Sequence, residues 1–202
     1  MARTAEQNAA LRAATRETIE SAAVRVFAAH GFAASSIRDI AEEAGLSIGS
    51  IYRHYASKEE LFDALLDQAC SGLAAASTAL ESGTDPLTLV REFTRVYLAD
   101  LARGQGEAEF YLVMNQGVMT DTPSGTAQRL ATAQRALWSA FAELVRRGQA
   151  AGQFADGDPA RLTAYYFAML SGIASMRLVI RDALTEDGAD VVLRLLTRQG
   201  SS

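Results

Sequence analysis

Tyr52, Arg53, His54 and Lys58 bring a phenol, a guanidinium, an imidazole and an ammonium into one short stretch. All four can donate hydrogen bonds, and arginine and lysine carry fixed charge, which is the donor set that phosphate oxygens accept from. For His54 the competing expectation is an ordinary surface or half-buried helix residue. Arg38, further upstream, has the reach for guanine O6 and N7 or for a phosphate, against an ion pair with Asp39, Glu42 or Glu43. Ile48, Gly49 and Ser50 precede the donor set. Ile48 has the shape to press on a thymine methyl, Gly49 permits close backbone approach or tight helix packing, and Ser50 joins Arg38 as a candidate base reader. Catalysis has little support. The histidines are His30 and His54, with no nucleophile–base spacing around either. The carboxylate pairs Glu42-Glu43 and Glu59-Glu60 are adjacent, so they point apart on a helix and are expected to be solvated.

These residues need short, well-bounded helices to hold them. Ser36 lies three residues before Asp39, the spacing of a helix cap whose first turn also carries an acid. Ile37, Ile40, Ala41 and Ala44 follow at spacings three and four, one apolar face. Gly45 is placed to end that helix in a left-handed conformation, Leu46 fills the corner, and Ser47 caps the next helix. In that second helix Ile51 and Tyr55 face inward, leaving Ile48, Gly49, Ser50, Tyr52, Arg53 and His54 outward or flanking. Two helices joined by a short glycine-containing turn make a helix-turn-helix, whose second helix can lie in the DNA major groove. Ser57-Lys58-Glu59-Glu60 is a capping box that starts a further helix. A lysine there opposes the helix dipole, which makes little sense for stability alone and implies a phosphate beside it.

Gly31-Phe32, Ser35 or Ser36, Ile40-Ala41, Ala44-Gly45, Ser47, Gly49, Ile51-Tyr52, His54-Tyr55, Ser57-Lys58 and Leu61 form one long pattern in fixed register. In this pattern the chain resembles the tetracycline-repressor (TetR) family of transcription regulators. Leu46 and Tyr55 stand where valine and phenylalanine are more usual in the family. The resemblance covers the first third of the chain. It implies a homodimer that binds double-stranded operator DNA through the N-terminal part and a small-molecule effector through a helical second part. It also places Arg38 where some members read a base.

The remaining sequence is read from its pattern. The chain has 202 residues, 49% hydrophobic and 21% charged, with a net charge of −5. That charge argues weakly against nucleic acid as a partner, but a DNA reader needs only a local basic footprint, here Arg3, Arg12, Arg16, Arg38, Arg53 and Lys58. A polar N-terminus with no apolar segment, and no run long enough to span a bilayer, lead to a cytoplasmic expectation with no membrane partner. Cys70 is the single cysteine, so neither a disulfide nor a metal or other cofactor is expected; a buried packing role is favoured over a redox one.

Helical periodicity persists throughout, giving an all-α fold of about nine helices. Residues 1–11 are expected to form a mobile arm and helix one to start at Leu11. Residues 1–56 make the helix-turn-helix DNA-binding domain and 57–202 a helical ligand-binding and dimerisation domain. In the second, Phe93, Tyr97, Phe110, Tyr111, Met114, Trp138, Phe141, Tyr165 and Met169 are candidates for an effector wall, with plain core as the alternative. The polar atoms of tyrosine and tryptophan need partners, which favours a cavity. The effector is expected to be apolar or aromatic. Small residues Ala168, Gly172 and Ser175 allow close approach of a partner helix, and Val192, Leu195 and Leu196 offer a second apolar stripe. By the resemblance these two helices pair with their copies across a two-fold axis. Two rival readings are a non-enzymatic adaptor that turns the motif toward a protein partner and a helical enzyme or carrier. Intact Tyr52, His54 and Lys58 argue against the first, and the missing catalytic constellation against the second.

Overall fold

A computed structural model describes residues 5–103, 106–180 and 188–197. Among them are nine helices: α1 (Ala5–Ala34), α2 (Ile37–Ala44), α3 (Ile48–Tyr52), α4 (Lys58–Ser82), α5 (Pro86–Arg103), α6 (Glu107–Thr120), α7 (Thr126–Ala150), α8 (Pro159–Ile180) and α9 (Gly188–Leu193). The only extended pairing among these residues is a single antiparallel bridge between Phe154 and Thr197. The all-α expectation is met. Arg3 and the polar C-terminal tail lie outside the described residues. The described chain forms two compact units, one within Met1–Ala69 and Glu109–Gln128, the other within Cys70–Ala108 and Arg129–Ser202.

Helix α1 starts at Ala5, earlier than the expected Leu11. The added turn is rich in alanine and free of glycine and proline, so intrinsic propensity carries the helix without a buried face. Near its other end Gly31 adopts φ 75° and ψ 159°, which breaks the helical path. In the first unit Ile19, Ala22, Ala23, Val26 and Phe27 of α1 pack with Ile37, Ile40 and Ala41 of α2, Ile51 of α3 and Leu61, Phe62 and Leu65 of α4. The rings of Phe27, Phe32 and Phe62 stand 5.1 to 5.8 Å apart in tilted and edge-on pairs. Helix α6 is four turns long, and Val113 and Met114 are its buried hydrophobic residues.

In the second unit α5 packs against α8 and α9. Pro86 and Pro159 open α5 and α8 after Asp85 and Asp158, whose carboxylates accept from the amides of Thr88 (2.9 Å) and Arg161 (2.7 Å). Arg147 stands in the last turn of α7, where a cation suits the dipole, and also reaches the C-terminus of α4. It donates to the carbonyls of Gly83 (3.0 Å) and Leu80 (2.9 Å), acceptors left without a helical partner. Helix α9 stops at Leu193, because the amide of Ala155 donates to the Leu196 carbonyl (2.7 Å) and draws the chain into the bridge.

Candidate nucleic-acid interface

Ser36 and Asp39 form the reciprocal cap that the sequence predicts. The Asp39 amide donates to Ser36 Oγ (3.3 Å), and Asp39 Oδ2 accepts from the Ser36 amide and hydroxyl, both at 2.8 Å. These bonds, the hydroxyl's first, hold the Asp39 carboxyl below its ordinary value. Gly45 takes the left-handed conformation, φ 64°, and its amide and that of Leu46 close the end of α2. Ser47 caps α3 by accepting from the Ser50 amide at 3.1 Å. Ile51 and Tyr55 are buried beneath the helix. The Tyr55 hydroxyl donates to the Glu20 carboxylate, and the Arg16 guanidinium lies 5.7 Å from the Tyr55 ring centre. Burial, then this carboxylate, pushes the Tyr55 phenol above its usual range.

On this floor α3 leaves Ile48, Gly49, Tyr52 and Arg53 exposed, Tyr52 most of all at 54%. Arg38 is exposed on α2. The ion pairs expected to compete for it are absent among the described residues. Asp39 serves the Ser36 cap and Glu43 pairs with Arg25 at 2.6 Å. Ser50 departs from expectation. It is only 8% exposed, and its hydroxyl accepts from Arg53 Nη2 at 2.9 Å, so it positions a guanidinium and does not itself face outward. His54 is half-buried. Burial, then Arg16, Arg12 and Arg53, hold its imidazole below the ordinary value.

Lys58 has the structural role that the sequence reading did not find. Its Nζ donates to the carbonyls of Phe32 and Ser35, both at 2.7 Å, and stands 4.3 Å from the Phe32 ring centre. The dipole that opposes it at α4 is offset by these two carbonyls at the end of α1. Two of its three N–H donors are thus engaged, and one remains. The cap of α4 also differs in detail. Ser57 Oγ accepts from the Glu60 amide at 3.1 Å, but Glu60 reaches back to the amide of Ala56 at 2.5 Å.

The effector candidates divide between the units: Phe110, Tyr111 and Met114 in the first, and Phe93, Tyr97, Trp138, Phe141, Tyr165 and Met169 in the second. Within the second unit Phe93, Trp138 and Phe141 do gather, around two rings not among those candidates. Phe167 stacks on Trp138 at 5.7 Å and 8°, and Tyr166 stacks on Phe141 at 4.4 Å. Phe93 approaches Phe141, Tyr166 and Phe167 at 6.1 to 6.5 Å. Phe167 falls between Leu162, Tyr165, Tyr166, Met169, Leu170 and Ile173, the apolar positions at helical spacing, so the sequence pattern does not single it out. Two tyrosine hydroxyls of this unit find protein partners: Tyr97 donates to the Leu170 carbonyl (3.3 Å), and Tyr166 bonds Thr94 Oγ1 (2.7 Å). Tyr165 is not in this cluster but 62% exposed. It shares a face of α8 with Ala168, Gly172, Ser175 and Met176, all exposed. Val192 and Leu196, expected on a pairing face, are 3% and 0% exposed and belong to this chain's own core, with Leu195 packed at its edge. Val191 is the exposed apolar residue of α9. Cys70 is half-buried.

A capped two-helix turn with an exposed, donor-rich second helix defines a helix-turn-helix regulator of transcription. Residues 19–65 match the family described as bacterial regulatory proteins, tetR family. Over 178 residues the chain is 31% identical to the HTH-type transcriptional regulator TtgR of Pseudomonas putida, spanning 84% of this chain and 83% of that one. The chain belongs to the TetR family of DNA-binding, non-enzymatic transcriptional regulators. The fold is also that of the ketosteroid transcriptional regulator KstR2 of Mycobacterium tuberculosis (TM-score 0.74, 20% identity, 91% of this chain and 95% of that one). It matches the SmeT–triclosan complex as well, with a TM-score of 0.68 and 21% identity over 93% of both chains. No described helix is long and apolar enough to cross a membrane.

Proposed function

We propose that this chain is a homodimeric repressor of the cytoplasm that reads a palindromic operator and leaves it on binding a small apolar or aromatic effector. Residues 1–56 are the DNA-reading part, and 57–202 sense the effector and pair the protomers. One observation carries the reading: α3 presents Ile48, Gly49, Tyr52 and Arg53 outward from a buried floor of Ile51 and Tyr55. That is the geometry of a helix seated in a major groove, with two copies one DNA turn apart, ~34–36 Å, in a dimer.

The exposed small-residue face of α8 supports pairing. A Cβ at Gly172 would meet nothing of this chain within 4 Å, so the face is open to a second copy. The rings of Phe93, Trp138, Phe141 and Phe167 support an effector of low polarity, as do triclosan in the SmeT complex and the ketosteroid in the KstR2 name. Release from the operator requires only a modest coupling between the two ligands, ~1–3 kcal/mol, and linkage makes it reciprocal. The test is selection of duplexes from a random pool by the full-length protein, followed by titration with ring compounds. Release of the selected duplex together with quenching of Trp138, the single tryptophan, is the expected result. A protein that enriches no sequence does not have this function.

A further inference from the structure

Arg12 and Arg16 of α1 are one helical turn apart, a like-charge pair that weakens an isolated helix. They share a cleft of about 530 Å³ with Ser50, Arg53 and His54, and its lining includes no carboxylate. Other arginines are neutralised locally: Arg25 by Glu43, Arg91 by Asp190, Arg95 by Glu92, Arg103 by Asp100 and Arg146 by Glu143. Among the described residues Arg12 and Arg16 have no such partner. Three guanidiniums and an imidazole thus converge without an anion, in a chain whose net charge is −5. The Ser50 hydroxyl fixes Arg53 at the rim, and the Tyr55 ring supports Arg16.

We propose that this cleft seats one backbone phosphate of the bound duplex, so that α1 grips the DNA strand beside the groove that α3 reads. The proposal rests on the DNA-reading function above and extends it to a helix outside the two-helix turn. Arginine forks suit phosphate oxygens, and the cleft joins groups from α1 to the end of α3, so the seat also sets how α3 lies in the groove. Such a contact strengthens binding to every sequence and carries no base preference.

The experiment uses the full chain and a duplex that the wild-type protein has enriched from a random pool. Affinity is measured against salt for wild type, Arg12→Gln/Arg16→Gln, Arg12→Gln alone, and Arg161→Gln as an exposed control on α8. The double variant is expected to lose about one unit of slope per protomer in log affinity against log salt, from ~0.9 per phosphate. Its base preference should stay unchanged, and the control should match wild type. Arg12→Gln alone, which touches no ring, should lose part of the same slope if the double variant is unstable. Single neutral methylphosphonate linkages then locate the seat. One linkage should weaken wild type and leave the double variant unaffected. A wild-type slope in the variants, or no linkage that distinguishes them, overturns the seat while α3 still reads DNA. Failure of wild type to enrich any duplex removes both.

Discussion

The ammonium of Lys58 stands 4.3 Å from the Phe32 ring centre and donates to the carbonyls of Phe32 and Ser35, joining the start of α4 to the end of α1. A residue that reads from sequence as a pure phosphate contact is therefore also a clasp within the protein. Charge-assisted hydrogen bonds of this kind contribute about 1.5–3 kcal/mol, and a cation over a ring adds ~0.5–1 kcal/mol. Lys58→Ala should lower stability by about 2–4 kcal/mol with no DNA present, read by urea unfolding, and should also weaken DNA binding. Unchanged unfolding would show that the clasp contributes nothing.

Arg38 gives the complementary expectation. It is exposed, and among the described residues no carboxylate holds it, so its guanidinium is available for a base edge. Arg38→Ala should relax preference at a particular operator position by roughly 1–3 kcal/mol, read by repeating the duplex selection. Uniform weakening across all sequences would make Arg38 a phosphate contact instead.

The turn was legible because local physics fixes it. Ser36, Gly45 and Ser47 each have a role set by residues within a few positions, and each holds that role in the structure. The carbonyl partners of Lys58 and Arg147 were not legible because they lie 23 to 67 residues away, at helix ends that sequence spacing does not bring together. Ser50 reads as outward or flanking because Ile51 and Tyr55 take the inward face; in the structure an arginine one turn on folds over it. Tyr165 and Val192 show the limit of stripe reading. Both lie on apolar helices, and only packing from other elements decides which face is covered.

Thr94 and Tyr166 test the second core. The Thr94 hydroxyl donates to the Val90 carbonyl at 2.6 Å, so in the 2.7 Å contact with Tyr166 it is the phenol that donates. Both residues are fully buried. Tyr166→Phe removes a donor and leaves Thr94 satisfied, a loss of about 0.5–1.5 kcal/mol. Thr94→Val leaves the Tyr166 hydroxyl buried without its acceptor and should cost more, ~1–3 kcal/mol. Equilibrium unfolding of the two variants checks the order, and the reverse order would refute the donor assignment.

Gly172 tests the pairing face. Arginine there meets open space within its own chain, so it should leave the protomer folded and disrupt only a partner's approach. Sedimentation should shift from dimer toward monomer, with circular dichroism unchanged and weaker binding to the two-half-site duplex. A Gly172→Arg protein that remains a dimer would move the interface off this face.

His54 supplies a pH signature. In the free protein, burial and then Arg16, Arg12 and Arg53 hold its imidazole below its ordinary value, which favours the neutral form. No carboxylate lines the cleft, and Glu20, the acceptor of the Tyr55 hydroxyl, is not among its lining residues. A phosphate in the cleft adds negative charge and favours the imidazolium, so His54 has a higher value in the complex than in the free protein. Binding then takes up protons. Affinity should rise as pH falls through the value of the complex and level off below that of the free protein, where both states are charged. Above both values it should again be flat. His54→Gln should abolish this dependence while keeping most of the affinity at pH 8. Fluorescence anisotropy of a labelled duplex from pH 5.5 to 8 at constant salt measures it, and a slope that survives in His54→Gln would assign the proton elsewhere.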